Sequence, residues 1–428
     1  MKFENQLNEL VQQNIIPQLT ANNISEYYEK KHQSNPNTIL LTFGIIGALL
    51  GGLGIILILA HNWDMMGILL KTIIAFIPLL AGQFLCGYSL FKKKGNVVWR
   101  ESSAMFLFIG IGACISLISQ TYHIQGDLNP FLLTWMLLGF PLVYLMKSSS
   151  TAILFIVGVT FCAAAQYGLW GFMLLLGIIP HILRLHKSNK SRNALSITYW
   201  ILSISLLIAL GSVAHSGILV HIAYFSLLGV LYNYGHSKWM DHNKFFANGP
   251  RIIGGLGIIG LLFFYSFDFI WKMMIGNHWY VSEAAINWST AYYSAEFVFS
   301  AIFSLVAVIL LFIRHRKAPL NRVRPIALLP FVFMVVFAMG YYWSFSQLVI
   351  NLLILFIGID IIIEGAKKDH LGILNKGLAI IMILTLCRFF DTQISFVIKG
   401  VMFMLVGAGL IVTNYLVIKK RKKLNLNK

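Results

Sequence analysis

The stretch Gln120-Thr121-Tyr122-His123-Ile124-Gln125-Gly126-Asp127 interrupts two long apolar runs, roughly 102–121 and 128–146. A short polar break between two runs of this length is typical of a loop that joins two membrane-spanning helices. Two similar breaks occur elsewhere, His61-Asn62-Trp63-Asp64 after the first apolar run and Arg388-Phe389-Phe390-Asp391 near the C-terminus. The alternation of long apolar runs with short polar breaks predicts an all-helical, polytopic integral membrane protein.

The composition excludes a water-soluble globular protein. Of the 428 residues, 58% are hydrophobic and 11% are charged, whereas soluble domains carry about 25% charged residues. A bundle of membrane helices can expose so much apolar surface to lipid, and a soluble domain cannot bury it. The net charge of +18 does not indicate nucleic-acid binding, because the basic residues lie in short loops between apolar runs.

Apolar runs that are long enough to cross a bilayer recur along the chain, and we predict fourteen of them. Their approximate bounds are 38–60, 69–91, 102–121, 128–146, 151–166, 168–185, 196–214, 217–233, 250–268, 295–313, 325–342, 345–364, 375–390 and 394–417. The helical bundle therefore covers 38–418, between a cytoplasmic arm over 1–37 and a basic cytoplasmic tail over 419–428. Prolines within spans, Pro78, Pro141 and Pro180, are expected to kink them.

The arm is polar and is expected to form a short helical hairpin. Pro17 would end a first amphipathic helix, and Thr20 would cap a second. The hairpin either lies on the membrane surface or serves as a partner-binding or self-association module. The first apolar run can remain as an anchor, so we expect no cleavable signal peptide.

The lysines and arginines predict the orientation of the bundle. With a cytoplasmic N-terminus, 29 of the 33 basic residues fall in cytoplasmic segments, and Lys71, Lys272, Arg388 and Lys399 are left for the other side. Such a bias predicts a protein of the inner membrane with both termini in the cytoplasm. Under this topology all three polar breaks lie at the outer face.

The outer-face breaks supply the candidate site residues. These are Asn62, Trp63, Asp64, Gln120, Tyr122, His123, Asp127, Arg388 and Asp391. If each pair extended a helix end, His61 with Asp64 and His123 with Asp127 would each share one face. The interpretations are polar caps or a structural network, a substrate or proton site, and a divalent metal site. We favour polar groups over the metal, and we expect no metal and no cofactor.

Arg388 and Asp391 are three residues apart, so one interpretation is a self-contained ion pair. In the other, Arg388 holds the phosphate or carboxylate of a soluble or lipid-linked anion, together with Lys71 and Lys399. The expected partners are membrane lipids and a small anionic or lipid-linked substrate. The sequence does not indicate an oligomeric state.

Several polar and small residues within spans carry further expectations. Asp360 and Glu364 lie one turn apart, and Lys367 and Lys368 are expected to neutralise them. Gln83 should face other helices rather than lipid. Two glycine stripes should pack closely against neighbouring helices; they are Gly44, Gly47, Gly51 and Gly54 in the first span and Gly254, Gly257 and Gly260 in the ninth. The cysteines, all within apolar runs, are expected to form no disulfides.

The segment Ala60-His61-Asn62-Trp63-Asp64, followed by Gln120-Thr121-Tyr122-His123 and Gly126-Asp127, resembles the bacterial membrane family catalogued as domain of unknown function 2157. Ile15-Ile16-Pro17-Gln18-Leu19-Thr20 is similar to the N-terminal arm of that family, which more often has glycine and acidic residues around the threonine. The resemblance covers roughly 5–145. It implies a bacterial polytopic inner-membrane protein and no particular activity.

Three functions are compatible with these patterns. The leading one is a transporter-like carrier whose polar site opens to the outer face. The alternative is a membrane-embedded enzyme that acts on a lipid-linked or cell-envelope substrate at that face, and the third is a membrane scaffold or sensor. The chain has no nucleophile elbow, phosphate-cradling glycine loop or zincin motif. An enzyme would therefore depend on the acidic and histidine residues of the breaks.

Overall fold

The structure is a computed structural model, and all regular structure in the residues that it describes is helical. The described residues are 7, 10–13, 15–33, 63–165, 167–187, 192–213, 219–237, 240, 248–275, 293–315, 324–342, 345–389, 395, 397, 400–401, 403–405 and 407–409. The chain divides into two compact units, Met1–Ile74 and Ala75–Lys428.

The first unit contains part of the N-terminal arm. Helix α1 covers Gln18–Gln33 and follows Pro17, whose fixed φ suits the residue before a first helical turn. The second helix of the arm is therefore present, but it begins two residues before Thr20. Thr20 lies inside the first turn, where its N–H donates to the Pro17 carbonyl at 2.9 Å, so its assignment as the cap was wrong. A 3-10 helix covers Trp63–Met65.

From Ile68 onward, fourteen α-helices follow one another in the part of the chain that the structure describes. They are α2 (Ile68–Lys92), α3 (Val97–Thr121), α4 (Leu128–Leu145), α5 (Ser149–Ala165), α6 (Gly168–Leu176), α7 (Ile179–Lys187), α8 (Arg192–Val213), α9 (Val220–Gly235), α10 (Gly249–Phe264), α11 (Asp268–Ile275), α12 (Ala295–His315), α13 (Pro325–Tyr342), α14 (Ser346–Lys367) and α15 (Leu371–Phe389).

Helices lie at the positions of the predicted spans from the second to the thirteenth. Each of these spans coincides with one helix, except that the sixth comprises α6 and α7. Within the described residues, eight segments are long and apolar enough to cross a membrane, and α5, α10 and most of α13 are apolar but shorter. The chain is thus a helical membrane protein. The number of fourteen spans stays a prediction, because the first lies outside the described residues and the last is described only in part.

The apolar core of the second unit forms two clusters that share α9. The first lies among α2 to α9 and α12, and Phe155, fully buried, belongs to it. The second lies among α9 to α11 and α13 to α15, where the rings of Phe225 and Phe333 stack at 3.6 Å between centroids. Helix α9 packs against α8, α10, α12 and α13, so it joins the two halves of the bundle.

The glycine stripe of the ninth span is confirmed in part. A Cβ placed on Gly254 of α10 would lie 2.5 Å from the backbone nitrogen of Tyr232 in α9. A Cβ on Gly257 would collide with the Leu228 side chain, whereas a Cβ on Gly260 would meet nothing within 4 Å. Two of the three glycines therefore permit close helix packing. The stripe from Gly44 to Gly54 lies outside the described residues.

The expectation for Gln83 was wrong, because this side chain is exposed on α2. The buried face of α2 is the stripe formed by Ala75, Gly82, Cys86 and Ser89. A Cβ on Gly82 would lie 2.8 Å from Cα of Leu107, so α2 and α3 approach too closely there for a longer side chain. Gln83 follows Gly82 by one residue, about 100° further around the helix, and therefore points away from the contact.

Candidate functional site

The polar break between α3 and α4 is an exposed loop. Gln120, Tyr122, His123 and Asp127 are all exposed. His123 has a φ of 51°, and the N–H of Ile124 donates to the Ser119 carbonyl at 2.9 Å. This pattern is a Schellman motif, in which the residue after the helix cap adopts a left-handed conformation and helix carbonyls gain a partner. His123 therefore has a structural role in ending α3.

The geometry assumed for His123 and Asp127 is not present. Helix α3 ends at Thr121 and Asp127 is the N-cap of α4, so the two residues do not extend one helix and share a face. Asp127 makes no side-chain cap hydrogen bond. Within the described ranges, no group of three or more histidine, cysteine, aspartate or glutamate residues is placed to hold a metal ion.

The break that follows the first span is described from Trp63 onward, and Asn62 lies outside the described residues, as does Asp391. Trp63 is half-buried and Asp64 is exposed in the 3-10 helix. The Lys71 Nζ lies 5.7 Å from the centroid of the Trp63 ring. The aromatic face thus accommodates one of the four basic residues assigned to the outer side.

Arg388, in the last turn of α15, is buried with 6% exposure. Its Nη2 donates to Ser266 Oγ at 3.2 Å, and its Cζ lies 5.0 Å from the Phe267 ring centroid. Asn351 of α14 donates to the Ser266 carbonyl at 3.3 Å. Side chains from α14 and α15 therefore both contact the turn between α10 and α11. Arg388 is buried while His123 and Asp127 are exposed, and the convergence of these residues with Asp64 stays a prediction.

A second polar group lies at the opposite end of the helices, the predicted cytoplasmic end, and the sequence analysis did not single it out. The carboxylate of Glu101 in α3 accepts hydrogen bonds from Ser148 Oγ at 2.5 Å, from Ser149 N at 3.1 Å and from Ser150 N at 2.9 Å. Ser148 Oγ also accepts a hydrogen bond from Thr151 Oγ1 at 2.9 Å. Glu101 and Ser148 thus satisfy the first N–H groups of α5, which have no partner within the helix itself.

Near this group, Gly177 and Ile178 interrupt the sixth span halfway along its length. The N–H of Gly177 donates to Leu174 O at 3.0 Å and that of Ile178 to Leu175 O at 3.1 Å, so the turn is tighter than an α-helix. Pro180 follows and has no N–H to donate. The Tyr144 hydroxyl donates to the Gly177 carbonyl. The expected irregularity at Pro180 is therefore a break between α6 and α7, and a side chain bonds the exposed backbone group.

His181 and Arg184 follow the break on one face of α7. His181 is fully buried, and its Nδ1 lies 2.6 Å from Arg184 Nη2. A guanidinium can only donate, so Nδ1 accepts and the proton of the neutral ring lies on Nε2. Among the described residues, this buried Nε2 and the buried Nε of Arg100 have no hydrogen-bond partner.

Arg100, Tyr144 and Glu101 are electrostatic neighbours of Arg184. We call Arg100, Glu101, Tyr144, His181 and Arg184 the cytoplasmic-end cluster.

Residues 8–152 match the family model described as Predicted membrane protein (DUF2157). The resemblance seen in the sequence is thereby confirmed over this segment. The DUF2157 segment includes Arg100, Glu101 and Tyr144 of the cytoplasmic-end cluster, while His181 and Arg184 lie beyond it. None of the curated proteins and none of the solved structures that were compared with the chain matches it.

Beyond the DUF2157 segment, the other face of α7 is also held by polar contacts. Nε2 of His186 and the hydroxyl groups of Tyr199 in α8 and Tyr234 in α9 bond to one another. Since His181 and Arg184 lie on its opposite face, α7 is bonded on two sides. This arrangement fixes the position of the residues that follow the break.

A further polar network joins α9, α13 and α14 at the same end. Glu364 Oε1 accepts from Arg324 Nη2 at 3.3 Å and from Lys368 Nζ at 2.5 Å. Arg324 Nη1 lies 3.5 Å from His236 Nε2. Neutralisation of Glu364 by Lys368 was predicted and is confirmed. Arg324 was missed, because it lies 40 residues earlier in the chain, immediately before α13.

Proposed function

We propose that this protein is a transporter-like carrier of the bacterial inner membrane, with both termini in the cytoplasm and a polar site at the extracytoplasmic face that includes residues of the three polar breaks. The observation that carries the proposal is the interrupted sixth span, with the buried His181 and the half-buried Arg184 in contact directly after the interruption. A break in the middle of an apolar segment exposes backbone polar groups where lipid offers no partners, so it is tolerated only inside protein or beside a cavity.

Interrupted helices with ionisable residues beside the break are a recurring feature of secondary transporters. Histidine and arginine within membrane segments are costly and usually serve a substrate or ion pathway. The Tyr144 hydroxyl on the Gly177 carbonyl supports this interpretation, because it supplies a removable partner for a backbone group at the break.

A carrier must present polar groups to each side of the membrane in turn. In this chain, buried polar contacts lie near both ends of the bundle. Arg388 contacts Ser266 at the predicted outer end, and the cytoplasmic-end cluster lies at the other. The two apolar clusters, joined through α9, supply two packed halves of the kind that move against each other in such proteins.

Cysteine accessibility tests the proposal without knowledge of the substrate. The native residues Cys86, Cys114, Cys162 and Cys387 are first replaced by serine or alanine. Ser266→Cys reports on the outer end, Ser103→Cys reports on the predicted cytoplasmic end, and both positions are buried. The matched control is Ala209→Cys, which is fully buried in the first apolar cluster.

We expect a membrane-impermeant maleimide to label Ser266→Cys in intact cells and Ser103→Cys in inside-out vesicles, and to leave Ala209→Cys unlabelled in both. Labelling arises because a carrier visits states that open each end. A static scaffold would protect all three positions, and that result would overturn the proposal.

A further inference from the structure

We infer that the cytoplasmic-end cluster is a binding site for the phosphate group of an anionic ligand. The inference names a ligand class for the residues beside the interrupted span. It rests on the proposed function only in one respect, namely that the ligand is carried across the membrane. Binding of the ligand can be measured separately from its transport. Three observations lead to it: an excess of hydrogen-bond donors, an excess of positive charge, and the position of the cluster in the helices.

The donors of the cluster outnumber its acceptors. Nε2 of His181 carries a proton, is buried, and has no partner among the described residues, and the same holds for Nε of Arg100. A guanidinium has no acceptor atom, so neither Arg100 nor Arg184 can receive these hydrogen bonds. A buried donor without an acceptor costs free energy. A ligand that supplies several acceptor oxygens would satisfy them together.

The charges of the cluster point the same way. Arg100 and Arg184 are half-buried and are close enough to interact electrostatically, as like charges. Glu101 is the acidic neighbour of Arg184, but its oxygens already accept three hydrogen bonds, from Ser148 Oγ and from the N–H groups of Ser149 and Ser150. The Tyr144 hydroxyl already donates its hydrogen bond to the Gly177 carbonyl. A negatively charged group between the arginines would offset their repulsion.

A phosphate group fits these requirements better than a carboxylate. Arginine binds phosphate through pairs of parallel hydrogen bonds, and a phosphate has enough oxygens to meet two guanidinium groups and the His181 Nε2–H together. Arg100 lies in the first turn of α3 and Arg184 in the last turn of α7. Both therefore lie at the predicted cytoplasmic end of the bundle, where a lipid headgroup or a soluble phosphate could reach them.

The test uses the purified full-length protein in a non-ionic detergent and a phosphate-free buffer. Binding of inorganic phosphate and of dioctanoyl phosphatidylglycerol is measured separately by microscale thermophoresis, at constant ionic strength, with succinate as a carboxylate control. We expect at least one phosphate probe to bind, and succinate to bind at least about tenfold more weakly. Binding of inorganic phosphate would assign a soluble source, and binding of the lipid alone would assign a headgroup.

The variants Arg100→Gln and Arg184→Gln should each weaken binding by about tenfold or more, because each removes paired hydrogen bonds to the anion. Arg184→Lys keeps the charge and should bind with intermediate affinity. Arg324→Gln is the matched control, since Arg324 lies at the same end but is bonded to Glu364. Size-exclusion chromatography and the Tm without ligand show whether each variant is folded.

Each outcome separates the two proposals. The phosphate site is overturned if neither probe binds, or if the parent and both glutamine variants bind equally well. The carrier proposal stays intact in that case if the buried cysteines are labelled. Binding that depends on Arg100 and Arg184, with the buried cysteines unlabelled, supports the phosphate site and overturns the carrier proposal.

Discussion

Glu101 and Ser148 are separated by 47 residues and are joined by a hydrogen bond of 2.5 Å between carboxylate and hydroxyl. The same carboxylate accepts the N–H groups of Ser149 and Ser150. A negative charge at a helix N-terminus is favourable, since the helix dipole and the first N–H groups both point at it. Glu101 of α3 therefore caps α5 from another helix, and it fixes the two helices relative to each other.

Removing this cap should destabilise the protein. Glu101→Ala leaves the N–H groups of Ser149 and Ser150 without their acceptor, so we expect a loss of about 2 kcal/mol, with about 1 kcal/mol for Glu101→Gln. The measurement is the apparent Tm of the detergent-purified protein, followed by intrinsic fluorescence. The order of Tm values should be parent, glutamine variant, alanine variant.

The matched control for this cap is Asp127, another carboxylate at a helix start. It is the N-cap of α4 but makes no side-chain cap hydrogen bond and is exposed. Asp127→Asn should therefore change stability by less than about 0.5 kcal/mol. Equal Tm losses at Glu101 and Asp127 would mean that the contacts of Glu101 contribute nothing specific.

Helix α10 offers a test of close packing within a single glycine stripe. Gly254→Leu places a side chain against the backbone of Tyr232 and Leu228 in α9, so the two helices must separate. We expect a large decrease in the yield of monodisperse protein after detergent extraction. Gly260→Leu, at a position further along α10 with open space around it, should give the yield of the parent. A normal yield for Gly254→Leu would show that the α9–α10 contact tolerates rearrangement.

The positions of the helices could be predicted from the sequence because long apolar runs leave few alternatives. The helix starts could not, as α3 shows. Its apolar run begins near 102, but the helix begins at Val97, where Asn96 Oδ1 accepts from the backbone nitrogens of Val98 and Trp99. Arg100 closes the first turn of α3 and Glu101-Ser102-Ser103 follow it, so these charged and polar residues separate the turn from the apolar run and hydropathy omits it. Arg100 lies in that turn and Glu101 directly after it, and both were therefore treated as part of a loop.

The cytoplasmic-end cluster was missed for a related reason. Arg184 counted in the sequence analysis only as a basic residue that reports orientation. Its contact with His181 depends on where α7 resumes after the break, and the contact of Glu101 with Ser148 depends on which helices pack together. Neither follows from local sequence. The run Ser148-Ser149-Ser150-Thr151 does have the composition of a helix start, but it does not identify the carboxylate that caps it.

The predicted topology assigns four basic residues to the outer side. Three of the four assigned to the outer side have a local partner in the described residues, namely Lys71 with the Trp63 ring, Lys272 with Asp268, and Arg388 with Ser266. We expect alkaline phosphatase fused after Val417 to be inactive, because it stays in the cytoplasm. The matched control is a fusion after Gly126, in the predicted outer loop, which should be active. The reverse pattern would invert the topology.

The remaining prediction is that His123, Asp127 and Asp64 lie near Arg388 at the outer face. A charge next to an apolar run costs a few kcal/mol unless it is compensated, on the order of 2.5–3.5 kcal/mol for arginine at a helix centre. Burial of Arg388 is consistent with that need. We expect side chains from at least three of the four residues to lie within one water-mediated contact of one another. Arg388→Ala and His123→Ala should then each impair function while the protein still inserts.

Cross-linking separates this prediction from the simpler role of His123. In the cysteine-free protein, His123→Cys and Phe389→Cys should be joined by a short bifunctional maleimide, whereas Lys147→Cys and Phe389→Cys should not, because Lys147 lies at the opposite end of α4. The Schellman motif already explains His123 as the residue that ends α3. Asparagine tolerates the same left-handed conformation as His123. If neither pair is cross-linked and the His123→Asn variant behaves like the parent, then the role of His123 is limited to ending α3. The outer site would then consist of Arg388 and the turn that it contacts.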